Sequence, residues 1–159
     1  MTPGSFWYRA LDPWADAFDP ALTVFALAVP WMRGSWPGWR AAARYGMAGA
    51  AGLAAIYGVA ALDALFGLWS AVGLDYSTHT AYAVSLATTI VVWDRRWTRT
   101  VVLAVGAYAL LILLVGYHDL ADVLCAALVA ALATWPIARR LLQPPSGSPT
   151  RAPSEPLRP

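Results

Sequence analysis

The residues of this chain best suited to chemistry are its two histidines and the aspartates beside them. His79 stands in the segment DYSTHT (residues 75–80), and His118 stands in YHDLAD (residues 117–122). His118 and Asp122 are four residues apart, so a helix that begins there places them on one face. An aspartate that accepts a hydrogen bond from one ring nitrogen leaves the other nitrogen basic and free to react. The spacing therefore predicts a histidine–carboxylate pair that could act in catalysis.

The elements that must position these residues are long apolar helices. Of the 159 residues, 59% are apolar and only 13% are charged, whereas soluble domains are nearer half apolar and a quarter charged. A helix needs about 20 mostly apolar residues to cross a bilayer. The sequence predicts an all-α integral membrane bundle of about five transmembrane helices. Their predicted ranges are 21–32, 45–72, 79–93, 100–116 and 120–142. The first is short and carries Pro30, so it either spans by continuing toward Trp36 or is re-entrant.

Three segments are predicted along the chain. Residues 1–18 mix aromatic and acidic side chains and are expected to form an interfacial segment. Asp19 and Pro20 are expected to start the first helix, as its N-cap and first helical residue, and residues 19–142 are expected to form the transmembrane catalytic bundle. Residues 143–159 contain six prolines and are predicted to be a disordered cytoplasmic tail.

The basic residues predict an orientation. All eleven are arginine, and with five crossings ten of them fall on one side of the membrane, while Arg9 falls with most of the aspartates on the other. The positive-inside rule then places the N-terminus outside the cell membrane and the C-terminus in the cytoplasm. His79 and His118 each begin a helix on the outer side, so they are expected to meet at an extracytoplasmic site.

The composition excludes several classes of protein. The one cysteine, Cys125, lies in an apolar run, which excludes a disulfide framework, a cysteine-based zinc site and a CxxC redox pair. Without lysine the chain cannot form a phosphate-binding loop of the GxxxxGK[ST] type. A net charge of +2 argues against a polyanion-binding surface, so nucleic acid is not an expected partner.

The two histidine segments resemble the second and third motifs of the type-2 phosphatidic acid phosphatase superfamily, which read Pro-Ser-Gly-His and Ser-Arg-x5-His-x3-Asp. Ser77 and His79 keep the spacing of the former, and His118 and Asp122 keep the His-x3-Asp of the latter. They are also similar to the sphingomyelin synthase branch, whose blocks read Asp-x3-Ser-Gly-His-Thr and His-Tyr-Thr-x-Asp-Val. The resemblance covers residues 75–134, and the order of motifs and crossings fits it as well.

The chain departs from that superfamily in its basic residues. The Lys-x6-Arg-Pro motif is absent, and the arginine and serine of the third motif would fall at Ile112 and Leu111. The glycine before the first histidine is Thr78. The basic residues that usually hold the phosphate are therefore missing. The sphingomyelin synthase branch also lacks them and handles phosphodiester head groups, so the departures favour a diester substrate or a transfer reaction.

The resemblance implies a lipid phosphatase or phosphotransferase that acts on a membrane lipid and needs no cofactor. His118 would be the nucleophile that forms a phosphohistidine, Asp122 would support it, and His79 would be the general acid and base. Further substrate-binding positions are expected at Asp75, Ser77, Thr78 and Arg9. A divalent cation held by the outer acids and histidines is an alternative source of positive charge, although no spacing here is diagnostic of a metal site.

Two other functions stay open. A non-catalytic, degenerate member of the superfamily, or a membrane subunit that binds lipid or a partner, would also lack the basic residues. A transporter or proton-linked channel would use Asp63, His79 and His118 as a polar path, and so short a chain would then have to form a homo-oligomer. Asp63 itself fits either a structural hydrogen bond or a place in the site.

Overall fold

Five α-helices form the part of the chain that the computed structural model describes, residues 6–33 and 37–143. They are α1 (Phe6–Ala28), α2 (Trp39–Phe66), α3 (Thr78–Trp93), α4 (Thr98–Val115) and α5 (Leu120–Leu142). Short 3-10 turns lie at Val29–Arg33, Ser70–Val72 and Arg95–Trp97. Within the described ranges there is no strand. The predicted all-α fold is confirmed, and α5 has its predicted bounds. Of the predicted tail, residues 144–159 lie outside the described residues.

The first helix differs from the prediction, because α1 begins at Phe6 and continues through Asp19 and Pro20. The prediction that a helix starts at Asp19 is therefore wrong. A single buried face runs along the helix on both sides of Pro20, so tertiary packing outweighs the one backbone hydrogen bond that the proline removes. The buried residues of this face are Ala15, Leu22, Ala26 and Val29.

The end of α2 also differs from the prediction. The helix ends at Phe66 and not at Val72, because Gly67 adopts the left-handed conformation (φ 61°, ψ 40°), which costs little only for glycine. The N–H of Gly67 donates to the carbonyl of Asp63 at 2.7 Å. The Asp63 carboxylate accepts a hydrogen bond from the N–H of Trp69 at 2.8 Å. Asp63 thus has a structural role at the end of its helix.

Contacts at the two ends of the bundle show how the helices are directed. Tyr45, near the start of α2, contacts Ala26 near the end of α1 and Trp93 at the end of α3, so these three helices alternate in direction. At one end Tyr117, after α4, donates a hydrogen bond to Asp12 in the first half of α1. At the other end Arg96, just before α4, donates to the carbonyl of Met32 at 2.7 Å. We call the first the histidine end, formed by residues 8–19, 67–79 and 116–122. The second is the arginine end, formed by residues 29–33, 39–44, 94–99 and 135–140.

The helix at the centre of the bundle is α3, which packs against all four others. Gly52 of α2 lies where the three helices α2, α3 and α5 come closest. A Cβ atom on Gly52 would lie 2.9 Å from Ser85 Oγ of α3 and 3.3 Å from Thr134 Cγ2 of α5. Small residues at such crossings let helix backbones come together without a loss of packing. The short, buried α3 is therefore held between two longer helices.

The outer faces of the longer helices are apolar and exposed. On α5, Leu120, Leu124, Leu128 and Leu132 recur every fourth residue, and each is at least 58% exposed. Within the described ranges, three segments are long and apolar enough to cross a membrane: Trp39–Phe66, Arg95–Val115 and Leu120–Leu142. Such continuous apolar surface is typical of lipid contact rather than of water. These features mark the chain as a membrane protein.

The close approach at Gly52 yields a stability prediction. The substitution Gly52→Val should lower the free energy of unfolding by about 1–3 kcal/mol, because the new side chain overpacks the crossing of α2 with α3 and α5. The measurement is thermal or denaturant unfolding of the purified protein in detergent. Gly58→Val is the matched control, since a Cβ at Gly58 meets nothing within 4 Å. Equal losses in the two variants would contradict the prediction.

Candidate active site

The carboxylate of Asp122, in the first turn of α5, joins the beginnings of two helices. Its Oδ1 accepts a hydrogen bond from the N–H of Asp75 at 2.7 Å, and its Oδ2 accepts one from the N–H of Asp119 at 3.2 Å. Asp119 in turn accepts from the N–H of Asp122 at 3.0 Å, which completes a capping box. Asp122 is only 6% exposed. The segment before α3 is thus tied to the start of α5.

His118 lies between two carboxylates. Its Nδ1 is 3.4 Å from Asp75 Oδ2 and 3.8 Å from Asp122 Oδ2. The nitrogen is buried and has no well-formed hydrogen bond, and catalytic contacts in ligand-free sites are often long or poorly aligned. Two carboxylates facing Nδ1 favour the tautomer that carries its proton there, which leaves the lone pair on Nε2. Asp75, predicted only as a substrate-binding residue, is thus the nearer acidic partner of His118.

The segment that carries Asp75 is fixed by its neighbour Tyr76. The Tyr76 ring packs edge-on against Trp69 with ring centroids 4.8 Å apart. Its hydroxyl donates to the carbonyl of Ile56 at 3.3 Å. Burial raises the pKa of Tyr76 to about 12, so the hydroxyl stays a donor at neutral pH. Asp75 therefore faces His118 from a well-supported backbone, although its own side chain is exposed.

His79 lines a separate cavity of about 230 Å³ between α1, α2 and α3. The hydroxyls of Thr23 and Tyr82 are hydrogen-bonded to each other at 2.6 Å. The Asp19 carboxylate is close enough to His79 to interact with it electrostatically. Its Oδ1 is buried and has no hydrogen-bond partner. The polar residues that line the cavity are Asp19, Thr23, Tyr57, Thr78, His79 and Tyr82.

Tyr117 forms a boundary between the two histidines. Its ring stacks with that of His79, with centroids 6.3 Å apart and planes at 29°, and it directly precedes His118. The hydrogen bond to Asp12 raises the pKa of the Tyr117 phenol above its ordinary value, so the phenol remains protonated. The structure thus groups His118 with two aspartates, and it groups His79 with the residues of the cavity.

The remaining predicted site residues differ in their surroundings. Ser77 is fully buried and is the N-cap of α3. Its Oγ donates to Thr80 Oγ1 at 2.9 Å and accepts from the N–H of Thr80, so its hydrogen bonds are made within the protein. Thr78 lines the cavity beside His79. Arg9 lies in α1, but its side chain falls outside the part of the protein that the structure describes.

The histidine end is rich in acidic groups. Among its described side chains there is no arginine, and the sequence contains no lysine. A phosphate monoester with two negative charges would meet repulsion at this end, whereas a singly charged or neutral group would meet less. The acidic residues found here are Asp12, Asp16, Asp19, Asp75, Asp119 and Asp122.

No metal site or known relative identifies this arrangement. In the described ranges, no group of three or more histidine, cysteine or acidic side chains is placed to hold a metal ion. No protein-family model, curated protein or solved structure matches the chain significantly. The resemblance of the two histidine motifs to the phosphatidic acid phosphatase superfamily therefore stays a prediction from the sequence.

Sequence reasoning did not find the partners of His79. Asp19 and Thr23 are four residues apart on α1 and share a helix face. This spacing predicts their proximity only if the helix is known to run through both residues. Tyr57 and Tyr82 stand in apolar helices with no recognisable motif around them. Their place in the cavity depends on how three helices pack, and local sequence does not encode that.

The role of Asp122 gives a second stability prediction. An asparagine at this position keeps one acceptor oxygen for two backbone donors, so Asp122→Asn should cost about 1–3 kcal/mol through an unsatisfied buried N–H. The measurement is unfolding of the purified variant in detergent. Asp119→Ser is the control, because serine retains an N-cap acceptor and should change stability by only a few tenths of a kcal/mol. A fully stable Asp122→Asn protein would contradict the prediction.

Proposed function

We propose that this protein is a membrane-embedded enzyme that hydrolyses or transfers the phosphoester group of a lipid, with His118 as the nucleophile. The observation that carries the proposal is the position of Nδ1 between two carboxylates, 3.4 Å from Asp75 and 3.8 Å from Asp122. This is the relation between a nucleophile or base and its orienting group that recurs in histidine-dependent catalysis.

In the proposed reaction, Nε2 of His118 attacks the phosphorus atom and the bond from phosphorus to the leaving oxygen breaks. The carboxylates of Asp75 and Asp122 stabilise the positive charge that develops on the imidazole. His79 donates a proton to the leaving oxygen, and then takes a proton from the water or alcohol that attacks the phosphorus of the phosphohistidine. The bond from phosphorus to Nε2 breaks in this second step, which restores His118. In this proposal the residues that touch the reacting atoms are His118 and His79.

The charge at the histidine end favours a phosphodiester over a phosphomonoester. Phosphoryl transfer depends mainly on stabilisation of charge, and the described side chains at this end include no arginine. The beginnings of α3 and α5, joined through Asp122, supply backbone N–H groups and positive helix-dipole ends. These partial charges suit one negative charge better than two.

A second candidate function is the binding of a lipid or a protein partner without turnover. It is favoured by the absence of arginine among the described side chains at the histidine end, because a degenerate enzyme would lose its phosphate-holding residues first. A purified protein that forms no phosphohistidine and cleaves no member of a phospholipid panel would support this second candidate.

We further propose that all five helices cross the cell membrane, with the histidine end outside and the C-terminus in the cytoplasm. The alternating helix directions and the concentration of described arginines at the other end support this orientation. Self-association is not needed for the proposed reaction, since its named residues all belong to one chain.

Substitution of the proposed nucleophile tests the reaction. His118→Ala should abolish turnover, and Asp75→Asn and His79→Ala should each lower kcat by about 10²–10⁴-fold, the range typical of lost acid–base or orienting groups. The measurement is release of head group and of inorganic phosphate from a panel of phospholipids in vesicles.

The control for this series is Asp16→Asn. It removes an exposed carboxylate at the same end of the bundle, and Asp16 is not one of the proposed catalytic residues. It should retain wild-type turnover. If wild-type protein is active and His118→Ala is equally active, His118 is not the nucleophile.

Accessibility of single cysteines tests the orientation. In a Cys125→Ser background, Val72→Cys lies at an exposed position of the histidine end, and Gln143→Cys lies just past the arginine end. A membrane-impermeant maleimide applied to intact cells should label the former and reach the latter only after the membrane is permeabilised. The reverse pattern would contradict the proposed orientation.

A further inference from the structure

The polar cavity around His79 adjoins an apolar space between α1 and α2. This second cavity has a volume of about 220 Å³. Thr23 lines both spaces, so they are neighbours at that residue. The apolar space is lined mainly by Ala26, Leu27, Gly46, Gly49, Ala50 and Leu53. We call the two together the α1–α2 fissure.

The fissure exists because α1 packs on α3 and α4 rather than along α2. On α2 its lining residues recur at helical spacing from Gly46 to Tyr57, a rise of about 16 Å along the helix axis. Towards the arginine end the fissure is bounded by Tyr45, whose hydroxyl donates to the carbonyl of Ala26 at 2.9 Å. The fissure is thus elongated, with a polar and an apolar end.

Two glycines leave the apolar end open. A Cβ atom on Gly46 would meet nothing within 4 Å, and one on Gly49 would meet only Thr89 Cγ2, at 4.0 Å. Helix packing therefore does not require glycine at either position, unlike at Gly52. Leu27, on the opposite wall, is 60% exposed, so the space opens sideways towards the surface that lipid would cover.

The polar end is suited to a hydrogen-bond donor. Asp19 offers a carboxylate with one oxygen that lacks a partner, and the surrounding groups are hydroxyls and the His79 imidazole. With no described arginine nearby, an anionic head group would be repelled by the Asp19 carboxylate. A hydroxyl or amine would instead satisfy a buried acceptor.

We propose that the α1–α2 fissure binds one hydrocarbon chain of a membrane amphiphile, with a non-anionic, hydrogen-bond-donating head group against Asp19 and His79. The inference rests on the proposed function only for the role of His79: a bound lipid hydroxyl there would be placed to give its proton to that imidazole. The binding itself does not require turnover.

Photolabelling of the full-length protein in detergent tests this. The probe is a hexadecanol that carries a diazirine on its chain, and labelled peptides are mapped by mass spectrometry. Labels are expected around Leu27 and between Gly46 and Leu53. Excess hexadecanol or hexadecylamine should compete, and their relative potency distinguishes a hydroxyl from an amine, whereas hexadecyl phosphate should compete poorly.

A matched pair of variants separates the fissure from ordinary lipid contact. Gly46→Leu should reduce labelling about tenfold, which corresponds to a steric cost near 1.4 kcal/mol. Gly106→Leu is the control, because a Cβ at this exposed glycine of α4 also meets nothing within 4 Å. It should leave labelling unchanged, and both variants should unfold at the same temperature as the wild type.

Several outcomes would overturn the inference. Labels spread equally over the exposed leucines of α5 would indicate nonspecific lipid contact, and equal competition by hexadecyl phosphate would rule out the proposed head group. Equal losses in Gly46→Leu and Gly106→Leu would also overturn it. His118→Ala should lose turnover but retain labelling. Wild-type protein that is labelled in the fissure but turns over no phospholipid would refute the proposed function and leave this inference standing.

Discussion

The buried carboxylate of Asp122 is the constraint on which the rest of the histidine end depends. A carboxylate out of contact with water must have its oxygens hydrogen-bonded, and here the donors come from the segment before α3 and the segment before α5. Two parallel helices are therefore held side by side at their beginnings. Asp75 is brought to His118 as a result, since its backbone is one of the groups that Asp122 binds.

This arrangement separates two kinds of surroundings within a short distance. On one side of Tyr117, an imidazole faces two carboxylates. On the other side, a second imidazole lines a cavity of hydroxyls with a single carboxylate. Two titratable groups in different surroundings are the usual basis for one acid and one base in the same reaction.

Much of this end could be predicted from the sequence, because helix starts are marked by local chemistry. The N-terminus of α5 follows from Asp119 as a cap, and α3 begins within one residue of its predicted start. The grouping of His118 with Asp122 follows from their spacing on a helix. The approach of Asp75 to His118 does not, because it depends on a hydrogen bond between segments 47 residues apart.

The errors arose where long-range packing competes with a local signal. Asp19 and Pro20 form a good helix start, yet the buried face of α1 extends on both sides of them and the helix continues. The opposite error occurred after Phe66, where an apolar sequence continues but Gly67 ends the helix. The cavity beside His79 was not predicted because the start of α1 was placed wrongly. One wall of this cavity is the part of α1 around Asp19.

The length of α3 has a consequence for its depth in the bilayer. Its 16 residues rise about 24 Å, whereas a typical hydrocarbon layer is about 30 Å thick. In the proposed arrangement, in which all five helices cross the membrane, the polar first turn of α3 lies below the level of the lipid head groups. Because α3 packs between the longer α2 and α5, protein and not lipid surrounds this turn, so its polar groups need no thinning of the membrane around them.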